Sequence, residues 1–152
     1  MTLKERLEED YKTAFKQGRH LAVEALRMLK AEVKNAEIAK RKDFDDHDVL
    51  EVILRVAKRH QDSITAFNKG GRQDLADHEK EQLAVLQAYL PAKLSEEELR
   101  DIINELIAES GAKGPADFGR VMGSVMKQVK GQADGTLISK IVKEELNKKQ
   151  TT

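Results

Sequence analysis

Apolar residues recur every three to four positions along the first 90 residues, a spacing typical of amphipathic helices. The four stripes are Leu3, Leu7, Tyr11, Ala14 and Phe15; Ala22, Ala25, Leu26, Leu29, Val33 and Ala36; Val49, Val52, Ile53, Val56, Ile64 and Phe67; and Leu75, Leu83, Leu86 and Leu90. The capping-box pair Thr2 and Glu5 and the acidic run DFDDHD predict helix starts. Pro91 ends the fourth stripe, because proline cannot continue a helix.

Three further stripes follow Pro91. They are Leu99, Ile102, Ile103, Leu106 and Ile107; Phe118, Val121, Met122, Val125 and Val129; and Leu137, Ile138, Ile141, Val142 and Leu146. Ser95 is predicted to cap the fifth helix and Gly111 to end it. Pro115 is predicted to be the first residue of the sixth helix, and Gly131 its left-handed end.

Charged residues make up 36% of the chain and aromatic residues only 4%, which is typical of solvated helices rather than of a β-sandwich. No stretch of useful length alternates with the period of a strand. We therefore predict an all-α fold with two parts that meet at Pro91. Residues 1–91 are expected to form a four-helix bundle and residues 92–149 a three-helix bundle.

The chain contains no cysteine, which fits a reducing compartment and excludes both disulfides and thiol chemistry. No apolar run approaches the ~18 residues that a membrane-spanning helix needs, and the N-terminus lacks the hydrophobic region of a signal peptide. These features predict a cytoplasmic protein with no membrane partner.

The formal net charge is zero, but the charges are unevenly placed. Residues 1–72 carry 16 Lys and Arg against 13 Asp and Glu, whereas residues 73–110 carry 3 against 10. Residues 111–152 carry 8 against 4, so that an acidic middle separates two basic ends. Such asymmetry bears on the choice of partners rather than on the fold.

Two glycines, Gly119 and Gly123, lie one turn apart inside the predicted sixth helix, where each costs roughly 1 kcal/mol relative to alanine. Helical spacing places Gly123 opposite the apolar stripe, beside Arg120, Ser124 and Lys127. Such a smooth and positive face would let a phosphate backbone lie close to the helix. The other explanation is that the glycines let a neighbouring helix pack closely, with Gly119 at the edge of that contact.

Further cations extend this predicted face. Lys130 stands in the turn before the seventh helix, and Lys140 and Lys143 lie on the outer side of that helix. Asp134 is predicted to be the N-cap of the seventh helix, whose free N–H groups attract anions.

Nothing in the sequence forms a free-standing catalytic or metal site. His47 and His78 lack the paired spacing of a zinc-binding helix, and His60 has the spacing of a partly buried, hydrogen-bonded histidine. The pair Ser139 and Lys140 has no visible base or oxyanion hole. We therefore expect no catalytic residue, no metal and no cofactor.

The segment GSVMKQVKGQADGTLISKIVKEEL, residues 123–146, resembles the C-terminal tail of the GatB subunit of the glutamyl/aspartyl-tRNA amidotransferase. The matching features are a glycine-containing helix with a V-M-K core, a K-G-x-A-D turn and a final amphipathic helix. The upstream segments AEVKNAEIAKR, FNKGGRQDLADHEKEQL and YLPAKLSEEEL resemble small stand-alone members of the GatB/YqeY family.

The resemblance implies an all-α fold of four and then three helices, and a tail that helps to hold tRNA. Its pattern falls on Gly123, Lys127, Lys130, Gly131 and Asp134. The domain that activates the acyl-tRNA and the amidase signature are missing here. Carbon–nitrogen ligase activity with glutamine as the amide donor is therefore implied only as part of a larger assembly.

Two functional hypotheses remain. In the first, the chain is a tRNA-binding accessory module, with a contact set of Arg120, Gly123, Lys127, Lys130, Gly131, Lys140 and Lys143. In the second, it is an adaptor whose acidic middle and long N-terminal helices dock a protein, such as an amidotransferase or another tRNA enzyme.

Overall fold

The computed structural model describes residues 1–151, and within them the chain is all-helical, with seven α-helices, one 3₁₀ turn and no strand. The predicted all-α class is confirmed. The chain divides into two compact units, of which the first is Met1–Leu90 and the second begins at Pro91. No helix in the described part of the chain combines the length and the apolarity that a bilayer crossing requires.

The first unit contains four helices: α1 Leu3–Lys16, α2 His20–Lys40, α3 Asp46–Lys69 and α4 Gln73–Gln87. Its core comprises Leu7, Ala25, Leu26, Leu29, Val33, Phe44, Val49, Val52, Ile53, Val56, Leu86 and Tyr89. These are largely the residues of the predicted stripes, because one face of each helix must be buried for the helices to be stable together. Ile64, Phe67 and Leu75 are only half-buried.

Local capping groups set the ends of these helices. Thr2 and Glu5 form the predicted capping box at α1, and Asp45 with Asp48 forms a second one at α3. Gly18 and Gly71 adopt positive φ angles of 68° and 72° where α1 and α3 end. The starts and the ends of α1 and α3 are therefore set by residues within a few positions of each helix boundary.

The second unit contains α5 Glu96–Ser110, a 3₁₀ turn Pro115–Asp117, α6 Phe118–Gln128 and α7 Gly135–Thr151. Its core comprises Leu99, Ile103, Ile107, Ala112, Val121, Val125, Val129, Ile138, Ile141, Val142 and Leu146. Ser95 caps α5 by accepting a hydrogen bond from the Glu98 N–H, and Gly111 ends it at φ 70°, as predicted.

Three helix boundaries differ from the sequence prediction. Pro115 opens a 3₁₀ turn rather than α6, which begins at Phe118. The N–H of Lys113 donates to the Asp117 carboxylate, and this bond holds the chain in a tight turn. The fourth helix ends at Gln87, before Pro91, and α6 ends at Gln128, before Gly131.

Candidate nucleic-acid interface

The outer face of α6 is the centre of the predicted interface. Gly119, Arg120, Gly123, Ser124 and Lys127 are all exposed, whereas Val121, Val125 and Val129 are buried. The helical spacing therefore assigned this face correctly. We call the five exposed residues the α6 face.

The two glycines of the α6 face have open space beside them. Apart from its chain neighbours and the backbone of its own helix, a Cβ atom built on Gly119 or on Gly123 would meet no atom of the described residues within 4 Å. The explanation that these glycines allow close packing of another helix of the second unit is therefore wrong. Their backbone is accessible from outside, which is the condition for a close approach by a ligand.

The two cations of the α6 face differ in whether they already have hydrogen-bond or ion-pair partners. Lys127 is exposed and has no hydrogen bond or ion pair among residues 1–151. Arg120 is committed locally, because it donates to the Ser110 carbonyl at 2.8 Å and lies 3.1 Å from the Asp117 carboxylate. The Lys113 N–H and the Arg120 guanidinium hold the pKa of Asp117 below its ordinary value.

This local role of Arg120 was missed at the level of sequence. The i, i+3 spacing of Asp117 and Arg120 was the available signal for their ion pair. The sequence gives no signal for the hydrogen bond from Arg120 to Ser110, the last residue of α5. That bond depends on the path of the turn between the two helices. Arg120 ties α6 to the end of α5, and Lys127 is the uncommitted cation of the face.

The loop between α6 and α7 holds Lys130 and Gly131. Gly131 adopts a φ of 77°, so the predicted left-handed conformation is confirmed. The loop is anchored, since the Leu94 N–H donates to the Gln132 carbonyl at 2.8 Å. Lys130 is half-buried and makes contacts of its own. Lys130 is therefore already engaged, unlike Lys127.

The start of α7 is already occupied by a carboxylate. Asp134 Oδ1 accepts a hydrogen bond from the Thr136 N–H at 3.0 Å, which confirms Asp134 as the predicted cap. The negative charge of Asp134 offsets the positive end of the helix dipole. This arrangement disfavours the N-terminus of α7 as a phosphate site, contrary to the expectation from sequence.

Lys140 and Lys143 are exposed on α7. The Lys143 Nζ lies 5.5 Å from the centre of the Phe118 ring, at the start of α6. Because a short loop joins the end of α6 to the start of α7, this contact shows that the two helices run antiparallel. Lys143 thus stands next to the α6 helix, one turn from Lys140.

The second unit is electrically polarised. The exposed carboxylates of α5 are Glu96, Glu97, Glu98, Asp101, Glu105 and Glu109. The exposed charges of α6 and α7 are mostly cationic, since Glu144 and Glu145 of α7 are turned toward Arg100 of α5. A polyanion is therefore attracted to the α6 and α7 side and repelled from α5.

The described residues hold one group with metal-binding composition, at the start of α3. Ligand atoms of Asp45, His47 and Asp48 lie within 4.8 Å of one another. Two of these residues are already used, because Asp45 caps the helix and Asp48 pairs with Lys42 at 3.0 Å. His60, by contrast, is buried and bonded to Glu79 at 2.5 Å, as its spacing predicted.

The comparisons with known proteins agree with the sequence resemblance. "Altered inheritance of mitochondria protein 41, mitochondrial" of Pyrenophora tritici-repentis is 32% identical over 143 residues, covering 91% of this chain and 78% of that protein. A glutamyl-tRNA(Gln) amidotransferase subunit of Methanospirillum hungatei is 35% identical over 112 residues, covering 67% of this chain and 17% of that protein. The corresponding protein of Methanosarcina acetivorans is 33% identical over 91 residues, covering 57% of this chain and 13% of its own length.

One of these relatives carries the word mitochondrial in its name, so the cytoplasmic location stays a prediction. The two amidotransferase proteins are much longer than the part that they share with this chain. The family description "Yqey-like protein" matches residues 4–146, which is nearly the whole sequence. The chain belongs to the YqeY family.

Proposed function

We propose that this chain is a tRNA-binding accessory module that holds phosphate groups on the outer side of α6 and α7. The observation that carries the proposal is the open backbone at Gly119 and Gly123 on a basic, exposed face. Each glycine weakens the helix, and no internal contact of the described chain accounts for either. A ligand that lies against the helix backbone does account for both.

The chemistry of the face favours phosphate over nucleobase as the group that is bound. Lys127 is a free cation beside Gly123, and it can follow a phosphate without breaking an existing ion pair. Phe118 is the one aromatic residue after Pro91, and it is half-buried under Lys143. Base stacking therefore contributes little, and binding depends on the shape and charge of a folded RNA.

The names of the relatives support a role next to a tRNA enzyme. The Methanospirillum hungatei relative is named for a tRNA-dependent amidotransferase, and the match to it covers 17% of its length. We assign to the present chain the holding of tRNA and not the amide transfer. Any carbon–nitrogen ligase activity then requires a partner enzyme. The three helices after Pro91 act as the RNA-binding bundle, and the four helices before it form a separate bundle.

The test is binding of unfractionated tRNA to the whole protein over a series of salt concentrations. The double variant Lys127→Ala/Lys130→Ala is expected to lose affinity and about two units of the slope of log K against log salt. The matched control is Lys12→Ala/Lys16→Ala, which removes two exposed lysines of α1. Equal losses in both double variants would show diffuse charge attraction. Absence of salt-dependent binding by the wild type would overturn the proposal.

A further inference from the structure

Three helices of the first unit end in the same hydrogen-bonded turn, but one of them has a different residue in its strained position. The closing bonds run from the N–H of Arg19, Lys42 and Arg72 to the carbonyls of Ala14, Glu37 and Phe67. The left-handed residue is Gly18 in the first turn and Gly71 in the third, whereas it is Arg41, with φ 53°, at the end of α2. Glycine is favoured there because it has no Cβ atom to clash. The turn itself therefore gives no reason for an arginine.

The side chain of Arg41 is not used within the chain. It is exposed and has no hydrogen bond, ion pair or ring contact among residues 1–151. Its two neighbours are engaged, since Lys42 pairs with Asp48 at 3.0 Å and Lys40 lies 5.9 Å from the centre of the Phe44 ring. The strained backbone thus presents a free guanidinium to the outside.

An exposed apolar side chain precedes Arg41 closely in the sequence. Ile38, three residues before Arg41, is 64% exposed, and Lys34 is exposed one turn earlier on α2. Lys34 and Ile38 are four residues apart on α2 and so lie on the same side of the helix, and Arg41 directly follows its last residue. We call Lys34, Ile38 and Arg41 the α2 edge, because they place an apolar group between two cations.

Lys34 of the α2 edge also lines a groove between α1 and α2 with a volume of about 410 Å³. Leu7 and Val33 form its apolar floor, and both are buried. The two carboxylates of the groove are already paired with lysines. Glu37 lies 2.6 Å from Lys4, and Glu8 lies 2.6 Å from Lys30. The groove therefore offers a partner an apolar floor with its acidic groups neutralised.

The charge of this surface selects the chemistry of its partner. Between residues 25 and 42, both carboxylates are half-buried and bonded, Glu32 to Arg59 and Glu37 to Lys4. The exposed charges of this stretch are therefore cations, and the exposed carboxylate nearest to Arg41 in the sequence is Asp43. A complementary surface carries carboxylates on either side of an apolar side chain.

We propose that the α2 edge and its groove dock an acidic amphipathic segment of another protein, with Arg41 as the anchor. The planar guanidinium suits a carboxylate that accepts two parallel hydrogen bonds, and Ile38 gains burial from the same contact. Nucleic acid fits less well, because a phosphate backbone gains nothing from the exposed Ile38 side chain or from the apolar floor of the groove. This inference goes beyond the RNA-binding role and does not depend on it.

The test uses a display library of random peptides selected on the whole protein. We expect the selected peptides to carry Asp or Glu one turn from Leu, Ile or Phe. Their affinity should fall at least tenfold with Ile38→Ala and with Arg41→Gly, and should be unchanged by Lys12→Ala on α1. The Arg41→Gly variant should also unfold about 4 °C higher than the wild type, because the turn is relaxed. Lost binding with a raised unfolding temperature excludes misfolding as the cause.

Three results would overturn the proposal. One is a library that yields no peptide whose binding depends on both Ile38 and Arg41. Another is a wild type that is dimeric by sedimentation and becomes monomeric with either substitution, since the occupant would then be a second copy. The third is a loss of tRNA affinity and salt slope in the Arg41→Gly variant, which would assign the α2 edge to RNA.

Discussion

The Arg100 guanidinium of α5 lies 2.6 Å from the Glu145 carboxylate of α7, which is only 8% exposed. Lys148 adds a second contact to the same carboxylate at 3.1 Å. Burial by itself raises the pKa of Glu145, but the hydrogen bonds from Arg100 and Lys148 outweigh it and hold the pKa below its ordinary value. The charged form of Glu145 therefore stabilises the packing of α7 on α5.

We expect Glu145→Gln to destabilise the second unit at neutral pH and to make its stability less sensitive to acid. The pKa of Glu145 is lower in the folded protein than in the unfolded chain. The stabilisation is therefore present above the unfolded-state pKa of about 4.3 and is lost as the pH falls through the folded-state pKa. Urea unfolding at several pH values, followed by far-ultraviolet circular dichroism, measures this loss. The control is Glu105→Gln, an exposed carboxylate of α5. Equal pH dependence in wild type and Glu145→Gln would contradict the prediction.

The hydroxyl of Tyr89 donates a hydrogen bond of 2.5 Å to the Asp10 carboxylate, and the Arg6 guanidinium lies 4.5 Å from the centre of the Tyr89 ring. Burial and this hydrogen bond both raise the pKa of Tyr89. The un-ionised form is thus favoured by folding. The stabilisation that the un-ionised Tyr89 gives is complete below the unfolded-state pKa of about 10. It is lost only as the pH rises through the higher folded-state pKa.

Tyr89→Phe is expected to lower the free energy of unfolding of the first unit by about 1.5 kcal/mol, the net value of a hydrogen bond to a charged group. In a Tyr11→Phe variant, Tyr89 is the one remaining tyrosine, so ultraviolet absorbance reports its ionisation alone. That ionisation should occur above pH ~10 while the protein is folded. A folded protein in which Tyr89 titrates like a free tyrosine would show that the Asp10 contact does not persist in solution.

The features that sequence predicted are those set by nearby residues. Ser95 and Gly111 delimit α5 through bonds within a few positions, and the exposure of Gly123 follows from helical spacing. The features that it missed depend on distant groups. Arg120 reaches the Ser110 carbonyl across a turn, and Lys143 covers Phe118 from another helix. No local rule predicts either contact.

The left-handed Arg41 shows a different limit of sequence analysis. Helix ends are recognised by glycine at this position, and arginine carries no such signal. The end of α2 was therefore visible only in the structure. A residue that contradicts a local preference without an internal contact is where function is most reasonably sought.

Asp134 provides a test that separates folding from binding. It is the cap of α7, so Asp134→Ala should lower the free energy of unfolding by about 1 kcal/mol. Because the substitution removes an exposed negative charge at the start of α7, tRNA affinity should be unchanged or slightly higher. The matched control is Ser95→Ala, which removes the cap of α5 and no charge. Reduced tRNA affinity with unchanged stability would instead make Asp134 a contact residue.

The glycines of the α6 face give the sharpest test, because folding and binding should respond in opposite directions. Gly119→Ala and Gly123→Ala should each raise the free energy of unfolding by about 1 kcal/mol, since alanine favours the helix and its Cβ meets nothing. If RNA lies against the backbone, Gly123→Ala should nevertheless weaken tRNA binding. The salt slope should stay the same, because no charge changes.

The control for this test is Asn104→Ala, at an exposed position of α5. It should leave tRNA affinity unchanged, because it lies outside the α6 face and changes no charge. A larger side chain in Gly123→Leu should weaken tRNA binding further than Gly123→Ala, in proportion to its bulk. If both Gly123 variants are more stable than the wild type and bind tRNA equally well, then no ligand approaches this backbone. The lysines of α6 and α7 would in that case act only through long-range attraction.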